Sequence, residues 1–167
     1  MAMNETARLA LPLLAAGQAQ KEVAHNEALL LLDMLVHITA ESADLSAPPA
    51  SPAVGACWIV AAVGAADWAG KDGTIAGWTA SGWRFAAPAQ GWQVWVVDRG
   101  HVMRFNGTAW IDHDVREDGY YVAGNRVVSG RQAPIADPAG GATVDASARA
   151  AIGAILGAMR THGLIAT

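Results

Sequence analysis

From Gly55 to about Val128, short apolar runs rich in valine, isoleucine and tryptophan are separated by glycines at close intervals, and no other feature constrains this chain as strongly. Runs of that length bounded by turn residues are the sequence form of an antiparallel meander. The clearest hairpin places Val102-Met103-Arg104-Phe105 against Thr108-Ala109-Trp110-Ile111, because Asn106-Gly107 between them supplies the positive φ angles of a type I′ turn. Further hairpins are expected at Asp98-Arg99-Gly100, joining Trp95–Val97 to His101–Met103, and at Gly124-Asn125, joining Tyr121–Ala123 to Arg126–Val128. Gly-Trp recurs at Gly77-Trp78, Gly82-Trp83 and Gly91-Trp92, but the uneven spacing reads as hairpin punctuation rather than a solenoid repeat.

The flanks follow different rules. Residues from about Gln18 to Ala40 lack glycine and proline and predict one long helix after the breaker Gly17. Val23, Leu30, Met34 and Ile38 form its apolar stripe, widened by Leu31, Leu32 and Leu35, while Lys21, Glu22, Asn26 and Glu27 crowd the first turns. The proline-rich stretch from Ser46 to Pro52 reads as a linker, with a boundary near Pro52. Asp137-Pro138-Ala139-Gly140-Gly141 ends the β unit, and Thr143 or Asp145 caps a last helix running to about Arg160, with His162-Gly163 as its stop signal. In that helix Ala148, Ile152, Ile155 and Met159 are spaced four, three and four residues apart, which is a coiled-coil seam. Isoleucine at consecutive core positions favours three strands, so a homotrimer is expected; the alternative is that the helix folds back on its own β-domain. The fold class is therefore α+β, with a helical segment at 1–47, a small tryptophan- and glycine-rich antiparallel β-domain at 53–130, and an oligomerisation helix at 142–163.

Composition narrows the function. At 167 residues the chain suits one compact domain with appended elements. A net charge of -4 offers no basic stripe for phosphates, so no direct nucleic-acid partner is expected. The single cysteine, Cys57, lies in an apolar run and reads as a buried small side chain rather than a nucleophile, and no intrachain disulfide can form. Leu9 to Ala16 imitates a secretory core but is broken by Pro12 and runs into Gln18, Gln20, Lys21 and Glu22, so no signal peptide is expected. Ala28 to Ile38 contains Asp33 and His37 and is too short to cross a membrane, so no membrane insertion is expected.

Seven tryptophans stand against two tyrosines and two phenylalanines. Exposed indoles stack on the apolar faces of sugar rings, whereas buried ones fill the core of a small sheet. Trp92 and Trp95 differ by an odd number and project to opposite faces of a regular strand. Trp78, Trp83 and Trp110, beside turns, are the candidate carbohydrate-binding residues. Asp112, Asp114, Glu117 and Asp118 gather around His113, but on a strand the first two share a face that His113 leaves, and the spacing matches neither an EF-hand nor a zinc signature. Asp33 and His37 are one helical turn apart, a spacing that serves a surface hydrogen bond more often than a metal. Nothing matches a nucleophile elbow, a Walker loop or a dinucleotide fingerprint, so no catalytic residue, cofactor or metal is expected and the chain reads as a non-enzyme.

The run Leu11-Pro12-Leu13-Leu14-Ala15-Ala16-Gly17-Gln18-Ala19-Gln20-Lys21-Glu22-Val23, then His25-Asn26-Glu27-Ala28-Leu29 and Leu32-Asp33, resembles the opening of a domain-of-unknown-function family from alphaproteobacterial prophages and gene transfer agents. The likeness continues through Gly55–Val60, Trp68-Ala69-Gly70, Trp83-Arg84-Phe85, Pro88, Gly91, the tail Ala136–Asp145 and Arg149–Ile152. Proteins of that family occur in tail-fibre and head-spike contexts. The resemblance implies a structural or adhesion component of a phage-like particle, assembled in the bacterial cytoplasm. Its partners would be other virion tail or head proteins, host surface polysaccharide and further copies of itself. Gln18, Lys21, Glu22, His25 and Asn26 would form the helix that docks to the virion. The alternatives are a stand-alone carbohydrate-binding module and a capsule-degrading glycan hydrolase using carboxylates such as Asp112 and Asp114.

Overall fold

A computed structural model describes residues 5–15, 17, 21–161 and 164–166. The architecture is mixed α+β, with two helices and several largely antiparallel sheets. Two compact units divide the chain, Met1–His113 and Asp114–Thr167. That division differs from one drawn at Pro52 and Asp137. The backbone beside the proline-rich stretch is tied across it: Ala65 N–H donates to the Ser46 carbonyl at 2.8 Å and Ala61 N–H to the Leu45 carbonyl at 2.9 Å, so the chain entering the stretch is hydrogen-bonded to the chain beyond it.

Helix α1 spans Lys21–Leu35, ending before the expected Ala40. Gln18, expected in its first turn, lies outside the described residues. Beyond Leu35 the chain turns through His37, at φ +47°, and enters a short strand β1, Thr39–Ala40. Burial outweighs helix propensity there, since Ala40 is completely buried and pairs with Val96 of β5, Gln93–Val96, in parallel.

The rest of the first unit is built from β2 (Cys57–Ile59), β3 (Ile75–Thr79) and β4 (Gly82–Ala86) in one antiparallel sheet, and from β5, β6 (His101–Phe105) and β7 (Trp110–Asp112), with β1 at the edge, in a second. Strand alternation gives the first sheet two faces. Cys57, Ile59 and Ile75 join Met34, Val94, Val96 and Met103 in the larger core cluster, while Trp58, Val60 and Ala76 pack with Trp68 on the other side. Gly77 is needed where α1 meets this sheet, because a Cβ there would lie 2.3 Å from the Met34 sulfur.

The hairpin at Asn106-Gly107 forms with a different turn. Phe105 pairs with Trp110, not Thr108, leaving a four-residue loop in which the Asn106 side chain accepts the N–H groups of Thr108 and Ala109 at 2.9 Å each. Only Gly107 of the Asn-Gly pair has positive φ, so the turn is not type I′. Slipping the register by two residues keeps every side chain on its face and brings the Phe105 and Trp110 rings to 5.4 Å. The hairpin at Asp98–Gly100 joins β5 to β6, with Val96 opposite His101.

In the second unit β8 (Val115–Arg116), β9 (Gly119–Val122) and β10 (Asn125–Val128) form a three-stranded meander. Its last turn is Ala123-Gly124, one residue earlier than expected, and here both central φ angles are positive, at +49° and +78°. Helix α2 spans Ala146–Thr161 and is capped by Asp145, whose carboxylate accepts the Ala148 N–H at 2.9 Å. The stop signal His162-Gly163 lies outside the described residues. Among those described, no helix is long and apolar enough to cross a membrane.

Candidate functional site

The most developed site in the first unit is organised by two side chains of α1 seven residues apart and therefore on one face, Asn26 and Asp33. Asp33 is 96% buried because the N-terminal segment folds over it. Its carboxylate accepts from the Thr6 hydroxyl at 2.7 Å, from Arg8 N–H at 3.0 Å and from Leu9 N–H at 2.6 Å. Arg8 then turns its guanidinium onto the helix end, donating to the carbonyls of Asp33 at 2.7 Å, Met34 at 2.9 Å and His37 at 2.8 Å. The first two are carbonyls that a helix C-terminus leaves unpaired, and a cation suits the negative end of the helix dipole. One turn from the N-terminus, Asn26 accepts the Leu14 N–H at 2.9 Å and donates to the Leu14 carbonyl at 3.0 Å.

Between this clamped segment, α1 and the first sheet lies a cleft of about 360 Å³. Leu13, Leu30, Met34 and Trp78 supply apolar wall, and Glu27, Thr79 and Ser81 supply polar groups. Glu27 is held by a two-pronged ion pair with Arg84 of β4, at 2.7 and 2.6 Å. The hydrogen bond from Arg84 holds the Glu27 carboxyl below the ordinary carboxylate range despite some burial, and Arg84 is correspondingly raised. Cys57 also borders the cleft; burial pushes its thiol up to about 11, which disfavours the nucleophilic thiolate.

The three candidate tryptophans are all half-buried, but they do not form one platform. Trp78 and Trp83 lie 4.9 Å apart in the tryptophan cluster with Trp58 and Trp68, whereas Trp110 packs against the core cluster on the other face of the sheet. Trp83 touches both Trp58 and Trp68 edge-on, at 5.6 and 5.2 Å. The Trp110 indole N–H donates to the Gly73 carbonyl at 2.8 Å. Of the three, Trp78 faces the cleft. Trp95 is the most exposed tryptophan, at 38%, while Trp92 packs on the core.

Asp33 and His37 do not act as an i, i+4 pair: Asp33 faces the N-terminal segment, and His37 has left the helix. Asp112 accepts from Arg99 and from His101 Nε2, both at 2.9 Å. Burial raises its carboxyl, but the hydrogen bonds from His101 and Arg99 outweigh that and leave it below the ordinary range. Among the described residues no group of three histidine, cysteine, aspartate or glutamate side chains could hold a metal ion. On α1, Lys21 and His25 are exposed and Glu22 is half-buried, while Asn26, expected to face a virion partner, is spent on Leu14. In the second unit Ala148, Ile152 and Ile155 of the α2 seam are exposed, Met159 is half-buried, and Leu156 is the buried residue of that helix.

The Asn26–Asp33 clamp escaped the sequence reading. Its signal was an aspartate inside an apolar helical run, seven residues after an asparagine.

The class these observations define is a mixed α+β chain whose first helix is strapped to its own N-terminal segment and packed on a small tryptophan-bearing sheet. A family profile described as a protein of unknown function, DUF2793, matches residues 25–111, just over half of the 167, and the chain belongs to that family. The match contains Asn26, Glu27, Asp33 and Arg84. Comparison with curated proteins finds no match.

Proposed function

We propose that this protein is a non-enzymatic structural and adhesion component of a phage-like or gene-transfer-agent-like particle, a tail-fibre or head-spike subunit or its base, assembling as a homotrimer through α2. The observation that carries the reading is the seam of that helix. Ile152 and Ile155 are 44% and 60% exposed, although they are the residues a three-stranded coiled coil would bury. The particle setting is supported by the resemblance of the Leu11–Val23 run and its continuation. A non-catalytic role is supported by Asp112, whose carboxyl is held below the ordinary range by hydrogen bonds from His101 and Arg99 and is poorly suited to protonate a leaving group. Light scattering on the full chain tests the assembly: three times the chain mass is expected, and Ile152→Asp with Ile155→Asp should give a folded species of one chain mass. A wild-type mass of one chain would end the trimer reading, and absence of the chain from purified particles would end the particle reading.

Contact with host surface polysaccharide is a second reading, favoured by Trp78 beside hydroxyl and carboxylate groups in the cleft. A glycan array probed with the wild type and with Trp78→Ala tests it. Binding that requires Trp78 is expected; no binding to any capsular fragment would remove this reading.

A further inference from the structure

The cleft beside α1 has two chemically different ends, and every residue that lines it belongs to the first unit. At one end sulfur and bare backbone meet: a Cβ on Gly77 would lie 2.3 Å from the Met34 sulfur and 3.5 Å from the Cys57 sulfur. The other end lies at Glu27, seven residues and about 10 Å back along α1. There Arg84 pairs with Glu27 and donates to the Ser81 hydroxyl at 3.2 Å, and the Thr79 hydroxyl stands 3.3 Å from that of Ser81. On α1, Leu30 lies between the two ends, and Leu13 and Val23 add to the apolar wall.

Folding leaves that wall without a core to join. Leu13, Val23 and Leu30 belong to neither core cluster, and Val23 is 61% exposed. The N-terminal segment forms one side of the cleft and is seated at Gly55, where a Cβ would lie 3.0 Å from that of Ala7. The segment also takes up two polar groups of α1, because Asp33 and Asn26 are both bonded to it. Glu27, Thr79 and Ser81 are left to meet a guest. Each Glu27 oxygen accepts one Arg84 N–H, and an ionised carboxylate has about four acceptor sites, so Glu27 can still accept from hydroxyl donors. Glu5 in the same lining adds a second negative charge, and the two repel an anionic head group.

A cleft of about 360 Å³ falls within the range of sites for small organic ligands, roughly 300–1,000 Å³. We infer that it takes a neutral glycolipid, with the sugar at Glu27, Thr79 and Ser81 and the alkyl or acyl chain along Leu30 towards Met34. Such a ligand is the lipid-bearing end of a surface glycan rather than its repeating chain. The sugar head rests on the polysaccharide reading above, whereas the apolar end rests on the cleft alone.

The test uses the full chain and octyl β-glucoside below its micellar concentration, with methyl β-glucoside, octyl sulfate and octyltrimethylammonium as comparisons. Calorimetry should rank octyl glucoside first and methyl glucoside about 100-fold weaker or more, since each buried methylene contributes roughly threefold. The Met34 methyl resonance should shift with octyl glucoside and stay in place with methyl glucoside. Leu30→Trp, which fills the middle of the cleft, should weaken octyl glucoside by about tenfold or more at an unchanged melting temperature. Ser81→Ala, at an exposed turn, keeps the claim testable if that variant misfolds and should weaken octyl glucoside about threefold or more. Binding of octyl glucoside with an empty glycan array would support the glycolipid site and remove the reading of the repeating polysaccharide. Capsular fragments that bind while octyl glucoside does not would overturn this inference and leave that reading standing. Tighter binding of the sulfate or ammonium probe would overturn the neutral head, and octyl glucoside binding unchanged in both variants would overturn the site.

Discussion

Replacing Asp33 with alanine removes the acceptor for three donors of the N-terminal segment: the Thr6 hydroxyl and the N–H groups of Arg8 and Leu9. Hydrogen bonds to a charged acceptor contribute roughly 1.5 kcal/mol each at the low end, which gives about 4.5 kcal/mol if all three are lost. The segment can swing away and return its donors to water, so the loss cannot exceed what docking of the segment contributes. Asp33→Asn keeps one acceptor oxygen and should lose about half as much. For a chain of this size about 3 °C of melting temperature accompanies each kcal/mol, so Asp33→Ala should melt up to roughly 13 °C below wild type. Thermal unfolding followed by tryptophan fluorescence measures this, and hydrogen exchange locates it, since the Arg8, Leu9 and Leu11 amides should lose protection first. Leu11 is included because its N–H donates to Thr6 Oγ1 at 3.0 Å. A drop of less than about 2 °C, with those amides still protected, would refute the claim that Asp33 holds the segment.

Other expectations are independent of the clamp. Gly77→Ala should cost about 1–3 kcal/mol by driving a methyl into Met34, and adding Met34→Ala should recover part of that loss in a double-mutant cycle of denaturant unfolding. The Glu27 carboxyl is depressed in the folded protein, so its contribution to stability is present above the ordinary value of 4.5 and is lost as pH falls through the folded value. Because the pair is partly exposed, Glu27→Gln should cost less than about 1 kcal/mol near neutrality, and its stability should converge with wild type in acid titrations. Cys57 should resist thiol reagents in the native state at mildly alkaline pH and react on unfolding, which a colorimetric thiol assay reads directly.

Local chemistry determined much of the outline. Glycine-bounded apolar runs specify strands because they are short and turn-limited, and β3 to β7 all fall within the stretch they mark. The stretch free of glycine and proline specifies α1, and Asp145 specifies the start of α2, because helix propensity and capping act within a few residues. Tertiary structure decided where those rules meet distant partners. Ala40 sits in a run that favours helix but becomes strand, because pairing beside Val96 buries it completely. Asp33 looked like half of a surface pair with His37, and became the anchor of a segment more than twenty residues away. Phe105 meets Trp110 rather than Thr108 because ring packing and the Asn106 side chain outweigh the turn preference of Asn-Gly. Trp78 and Trp110 look alike in sequence, yet one packs in the tryptophan cluster and the other against the larger core cluster. In each case the deciding energy comes from burial or hydrogen bonding with residues far along the chain, which a local reading of periodicity and turns does not contain.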